Sequence, residues 1–139
     1  PVAVPAAAYV PFVRSGKLVF LSGHIAKQDG KPWVGQLGLT MGTDEGKAAA
    51  RAIAIDLLGT LQAAAGGLDN VTRVVKVLGM VNSAPHFYDH PKVINGCSEL
   101  FADVWGPDHG IGARSAVGMG PLPGNIAVEI EAIFELTPA

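Results

Sequence analysis

From Val128 to Glu135 the chain alternates: Val128, Ile130, Ala132 and Phe134 fall on one parity, Glu129, Glu131, Ile133 and Glu135 on the other. Successive side chains of a strand point to opposite faces, so this segment reads as a strand with one apolar face and one glutamate-bearing face. A helix would scatter the same residues around its circumference, which makes this pattern the strongest constraint on the fold. Gly112-Ala113-Arg114-Ser115-Ala116-Val117 precedes it as a second strand, joined through Gly120-Pro121-Leu122-Pro123-Gly124-Asn125, a sequence rich in turn formers. Antiparallel pairing across that turn in the simplest register sets Arg114 opposite or diagonal to Glu129, with Ala116 and Gly118 sharing Arg114's face. A guanidinium beside a carboxylate on a sheet is either a structural ion pair or the polar end of a small-molecule site. The residues themselves leave both readings open.

Upstream, Tyr9–Val13 and Lys17–Ser22 are short apolar runs around Arg14-Ser15-Gly16, which predicts a hairpin. The stretch 23–41 is glycine-rich and irregular, with a turn at Asp29-Gly30-Lys31-Pro32 and a short strand near Trp33. Thr43-Asp44-Glu45 suits a helix start, with acids in the first turn. Ala50, Ala54, Leu57, Leu58, Leu61 and Ala65 then recur at helical spacing before Gly66-Gly67. Val71–Val81 is a β-branched run that predicts a buried strand. A second helix is expected from about Pro91, with Val93, Ile94, Cys97, Leu100, Phe101, Val104 and Trp105 as its stripe and Gly106-Pro107 as its end. The predicted order is β-β-(β)-α-β-α-β-β: one α+β domain over residues 1–139, a mixed sheet with two helices on one face.

That plan creates a conflict of burial. The helices cover one sheet face, and the other carries glutamates beside apolar neighbours such as Ile133. Such a face is too apolar for water and too charged for a dry core. A subunit interface containing a polar pocket resolves the conflict. Composition points the same way: 49% of the 139 residues are hydrophobic and only 16% charged, so little polar covering is available for an isolated domain. A net charge of −2 with no basic cluster argues against a nucleic-acid partner. Cys97 is the single cysteine, so no intrachain disulfide is expected. No uninterrupted apolar run approaches the roughly 20 residues that cross a bilayer. Pro1–Ala8 is apolar but lacks a basic flank and makes a poor signal peptide, leaving a cytoplasmic protein without a membrane partner as the expectation.

Gly-Ala-Arg-Ser-Ala-Val at 112–117, Leu122-Pro123 and Val-Glu-Ile-Glu-Ala-Ile at 128–133 resemble the signature of the RidA family, also called YjgF. Members typically read Pro-Ala-Arg-Ser-x-Val, then Leu-Pro, then a hydrophobic residue before Glu-Ile-Glu-Ala-Ile. Leu21-Ser22-Gly23, Tyr9 and Asn95 match as well. The resemblance implies a chorismate-mutase-like fold and a homotrimer with clefts between subunits. It further implies deamination of reactive enamines and imines of the 2-aminoacrylate type to 2-keto acids and ammonia, as in 2-iminobutanoate/2-iminopropanoate deaminases, without metal or organic cofactor. By the same resemblance, Arg114 binds the carboxylate of a small metabolite and Glu129 holds or activates water. Tyr9, Ser22, Gly23, His24, Asn95 and Ala116 fall at substrate-binding positions. The chain departs from the family at Ala116, where a cysteine is usual, at Gly112 for proline, at His24 for glutamine, and along the 27–42 loop. A ligand-binding protein without catalysis, or less readily an endoribonuclease, fits the same frame.

Each candidate also has an ordinary structural reading. Arg114's planar fork suits a carboxylate, but an ion pair to Glu129 or Glu131 would use it equally. A partly desolvated Glu129 gains basicity toward water, whereas Glu131 reads better as an interface salt bridge. Tyr9 supplies a cleft hydroxyl or anchors a strand; Asn95 lies off the apolar stripe; His24 lines the cleft or sits at a turn or interface. His86 and His90 have helical metal-pair spacing, but Pro85 and Pro91 break the helix such a pair needs. Cys97 reads as a core filler.

Overall fold

The computed structural model describes residues 7–138, so most of the apolar N-terminal stretch lies outside the described residues. The strands are β1 (Phe12–Ser15), β2 (Leu18–Ile25), β3 (Lys27–Gln28), β4 (Lys31–Pro32), β5 (Val71–Asn82), β6 (Ala113–Met119) and β7 (Val128–Leu136). Helices α1 (Thr43–Ala65) and α2 (His90–Gly110) flank β5 in sequence. Five strands form one sheet in the order β1-β2-β7-β5-β6, and β3-β4 is a separate small hairpin. This is the α+β plan that the sequence predicts.

Alternation in β7 behaves as its residues dictate. Val128, Ile130, Ala132, Phe134 and Leu136 are buried, while Glu129, Glu131, Ile133 and Glu135 stay half-buried or exposed. The buried set meets Val19 and Leu21 of β2 and Val74, Val77 and Val81 of β5 in the core, under Ile53, Leu57 and Leu61 of α1. Helix α2 adds Val93, Ile94, Cys97 and Phe101, and the Phe101 and Phe134 rings meet edge-to-face at 5.5 Å. Both helices lie on this face; the glutamate face carries no second layer within the described chain. Length and apolar composition alone would let α1 cross a membrane. Its buried Ala49, Ala50, Ile53, Ala54, Leu57 and Leu61 instead make it the central core helix of this layer.

The connectivity departs from expectation where it matters most. β6 does not pair with β7. It forms the edge of the sheet parallel to β5, with Arg114 beside Val77, and β5 lies between it and β7, with Met80 beside Glu129. The reason is in β5 itself: its β-branched, long and apolar run satisfies two neighbours, whereas β6, short and rich in small residues, suits an edge. Arg114 therefore shares the face of buried Val77, on the helix side, and Ala116 and Gly118 go with it rather than with the glutamates.

Other boundaries shift less. β1 begins at Phe12, so Tyr9 precedes the first strand instead of lying in it, and its side chain is exposed. Trp33 falls just past β4. Helical structure resumes beyond Gly106-Pro107 to Gly110, but only across a kink at Gly106, whose φ of 82° and ψ of 166° break the helix at the expected point. Val104, placed on the apolar stripe by spacing, is 40% exposed because it rotates past the core at the end of α2.

Candidate functional site

Glu129 sits on the open face of β7, opposite Ile25 of β2 and Met80 of β5. Between the pairs Leu21–Ala132 and His24–Ile130 the β2 register shifts by one residue, so Ser22 and Gly23 together oppose Glu131. This bulge resets the alternation of β2. Before it, Leu21 faces the helices; after it, His24 does, so that Ser22 and Gly23 are left beside the glutamates. Strict alternation from Phe20 would have sent His24 to the open face, and one inserted residue reverses that.

His24 is consequently not a wall of the cleft. It is buried beneath α1, with Nδ1 2.7 Å from the Ser22 carbonyl oxygen and Nε2 2.7 Å from Thr60 Oγ1. A carbonyl only accepts, so Nδ1 carries the proton and Nε2 accepts from the Thr60 hydroxyl. Burial lowers the histidine's proton affinity and keeps the ring neutral, against a smaller opposing pull from the Ser22 carbonyl. The pair holds the bulge from behind.

On the open face, Tyr9, Ser22, Gly23, Glu129 and Glu131 line one cavity of about 620 Å³. The Ser22 hydroxyl donates to the Val10 carbonyl at 2.5 Å, tying the segment before β1 to the bulge and bringing Tyr9 over the cavity. The Glu129 carboxyl is pushed above the ordinary carboxylate range, first by burial and then by the like charge of Glu131. A carboxyl so placed holds its proton more tightly and, once ionised, is a stronger base. It lies against the backbone of Gly23, where any Cβ would collide with Glu129 Oε2. Gly23→Ala should therefore displace the carboxylate while leaving the bulge formed. In a turnover assay the expected outcome is a fall in kcat of roughly 10²-fold, the usual consequence of a misplacement of about 1 Å, with an unchanged far-UV spectrum.

Arg114 lies elsewhere. Its Nη1 donates to Asn95 Oδ1 at 2.8 Å and to Ser98 Oγ at 3.2 Å, both on α2. These residues line a second cavity of about 390 Å³ with Glu99, Ile111 and Gly112. Among the described residues the ion pairs are Lys47–Glu99 and Lys92–Asp89, so Arg114 is held by neutral partners and is not the structural mate of Glu129 or Glu131. Neutral acceptors orient the guanidinium without cancelling its charge. Ala116, two residues on, packs half-buried against the core from the same face.

The departure at Gly112 has a steric cause: a Cβ there would stand 2.7 Å from the Val74 carbonyl oxygen and 2.8 Å from that of Val75. β6 enters the sheet too close to β5 for the ring of proline. Cys97 is fully buried, and burial pushes its thiol up to about 12, which removes it as a nucleophile. His86 is exposed ahead of α2, while His90 opens the helix and bonds Ser83 Oγ at 3.1 Å, so the two do not share a helical face.

The structure thus gathers Tyr9, Ser22, Gly23 and Glu129 at one site and Asn95 and Arg114 at another, on opposite faces of the sheet. Sequence reasoning missed Ser98, though its position three residues after Asn95 puts both on one side of α2. It also missed Thr60, a polar residue inside an apolar helical face. Glu131, read as an interface residue, joins the lining of the Glu129 cavity.

Residues 1–126 match the family described as YjgF/chorismate mutase-like, putative endoribonuclease. The chain belongs to this family. The protein TCP17 of Trypanosoma cruzi is 46% identical over 135 residues, covering 96% of this chain and 84% of TCP17. The crystal structure of Atu1372 from Agrobacterium tumefaciens, a protein of unknown function, superposes with a TM-score of 0.89. It is 42% identical and covers 94% of this chain and 83% of that one. A Shewanella oneidensis structure described as a putative endoribonuclease gives a TM-score of 0.92 at 26% identity, covering 98% of this chain and 90% of the other.

Proposed function

We propose that this protein is a homotrimer whose inter-subunit clefts hydrolyse small reactive enamine and imine carboxylates to 2-keto acids and ammonia. The observation that carries this reading is the division of the site: Arg114 and Glu129 open into separate cavities on opposite faces of one chain. A site using both must be built from two copies, with the Arg114 edge of one set against the Glu129 cavity of the next. The apolar and acidic open face, left without a second layer, is what such an assembly would cover.

In that cleft Arg114 clamps the substrate carboxylate, and Asn95 and Ser98 fix the angle of its fork. Glu129 removes a proton from water as the water oxygen bonds to the imine carbon. Glu129 returns that proton to the nitrogen to give the carbinolamine; as this collapses to a carbonyl, Glu129 passes its hydroxyl proton to the amine, and ammonia leaves. For an enamine, protonation at carbon gives the iminium ion, which loses an N–H proton to become the imine, and a carboxyl with raised proton affinity is suited to the first of these transfers.

Multi-angle light scattering at micromolar concentration should give about three times the 14.3 kDa chain mass; a monomer would remove the cleft. An amino-acid oxidase generating imines in situ, with keto-acid formation followed, tests the chemistry: the protein should accelerate imine loss. A non-catalytic metabolite-binding protein is favoured in one respect, since Ala116 supplies no thiol where relatives carry one, and it would show ligand binding without acceleration. RNA cleavage, the activity in the family's description, is opposed by the net charge of −2 and the absence of a basic cluster in the sequence.

A further inference from the structure

Asn82, the last residue of β5, is a polar residue only 1% exposed. Its Nδ2 donates to Asn125 Oδ1 at 3.0 Å and to the Ile126 carbonyl at 3.1 Å. A carbonyl only accepts, so the amide stands with its nitrogen toward the turn before β7. The main chain at 82 adds two bonds: its N–H donates to the Ala127 carbonyl, and its carbonyl accepts from the Leu37 N–H. Asn125 holds a left-handed φ of 59° and accepts from the Gly35 N–H, while the Ala127 N–H donates to the Trp33 carbonyl. Stretch 33–37 belongs to the loop in which this chain departs from the RidA pattern, and Asn82 is the point where that loop, β5 and the turn meet. The turn is one wall of the Glu129 cavity, lined by Pro123, Gly124 and Ile126.

We infer that Asn82 is a positioning residue of the Glu129 site: through Asn125 and Ile126 it holds the 123–126 wall in the shape that receives ligand. The inference rests on the deaminase reading above and adds to it a residue that never touches substrate. From 120 to 125 every residue except Leu122 is exposed, and two of the six are prolines without an N–H, so the turn has little of its own to fix it against the sheet. Without the Asn82 donors the Ile126 carbonyl loses its buried partner, and an acceptor stranded in that way is satisfied by moving to water. The wall is then seated for only part of the time. Apparent affinity falls by that fraction, whereas turnover of bound substrate, which selects the seated wall, does not.

Asn82→Leu matches the amide in size and donates nothing. Its KM for an oxidase-generated imine should rise on the order of 10-fold with kcat kept, the scale of one or two buried hydrogen bonds. Asn125→Asp keeps an acceptor for the Asn82 amide and should stay near wild type. Asn125→Gly, which accepts the left-handed backbone but lacks that acceptor, should show part of the rise. Amide hydrogen exchange at Gly35 and Ala127, whose N–H groups pin the turn to the loop, should quicken in Asn82→Leu and Asn125→Gly and not in Asn125→Asp. Asn125 is exposed, so if Asn82→Leu does not fold, the contrast between the two Asn125 variants carries the test. A purely structural Asn82 would lower the melting temperature and leave KM alone; that result, or an Asn125→Asp variant as impaired as Asn82→Leu, overturns the inference and leaves the deaminase reading standing. If the native protein hydrolyses no imine, the deaminase reading fails, and the exchange pattern by itself decides for or against the hold of Asn82 on the wall.

Discussion

Arg114→Ala should lower kcat/KM for imine hydrolysis by on the order of 30- to several-thousand-fold, while the protein remains folded and assembled. The figure corresponds to roughly 2–5 kcal/mol for truncating one partner of a sheltered, charge-assisted contact. Folding should survive because Arg114 is a half-buried edge residue bonded to neutral Asn95 and Ser98. Its loss strands no carboxylate. Arg114→Lys should recover little, since an ammonium cannot span a carboxylate with two parallel donors and at the same time reach Asn95. Steady-state kinetics and light scattering on the same preparation check both halves of the expectation. Full activity in the alanine variant would rule out the clamp.

Glu129→Gln should be at least as damaging, at roughly 10²- to 10⁴-fold in kcat, because an amide can hold water but cannot take its proton. The pH profile gives a sharper test. Burial and Glu131 raise the proton affinity of Glu129. A base must be ionised to act, so the rate should rise with pH through a midpoint above the ordinary glutamate range and be lost below it. Glu131→Gln removes the like charge, lowers the Glu129 pKa and should move that acid limb to lower pH. A limb unmoved by Glu131→Gln, or one lying at the ordinary glutamate position, would mean that Glu129 is not the titrating base.

The division of Arg114 and Glu129 between two faces gives the fold a functional logic. In the proposed assembly, edge strand β6 and helix α2 would supply one half of a polar site, and the bulged β2 with β7 the other. The His24–Thr60 pair belongs to the second half although it never reaches the cavity: it secures the bulge that turns Ser22 and Gly23 outward. A histidine expected to contact ligand is better understood as its support.

Local chemistry alone determined the elements. The alternation of 128–135, the helical spacing from Ala50 to Ala65, the β-branched run after Val71 and the breaks at Gly66 and Gly106 each specify a strand, a helix or an end. Each acts through neighbours within a few positions. Chain periodicity also separated the buried from the open face of β7, which placed Glu129 and Glu131 correctly. Strand neighbours were decided elsewhere. Nothing near 112–135 in sequence reveals that β5, some forty residues earlier, inserts between β6 and β7, because pairing depends on which strand can satisfy two edges at once. The face of Arg114 and the burial of His24 follow from that choice and from one extra residue in β2. Each reverses a side chain's direction without changing a local propensity, so only the assembled sheet could settle them.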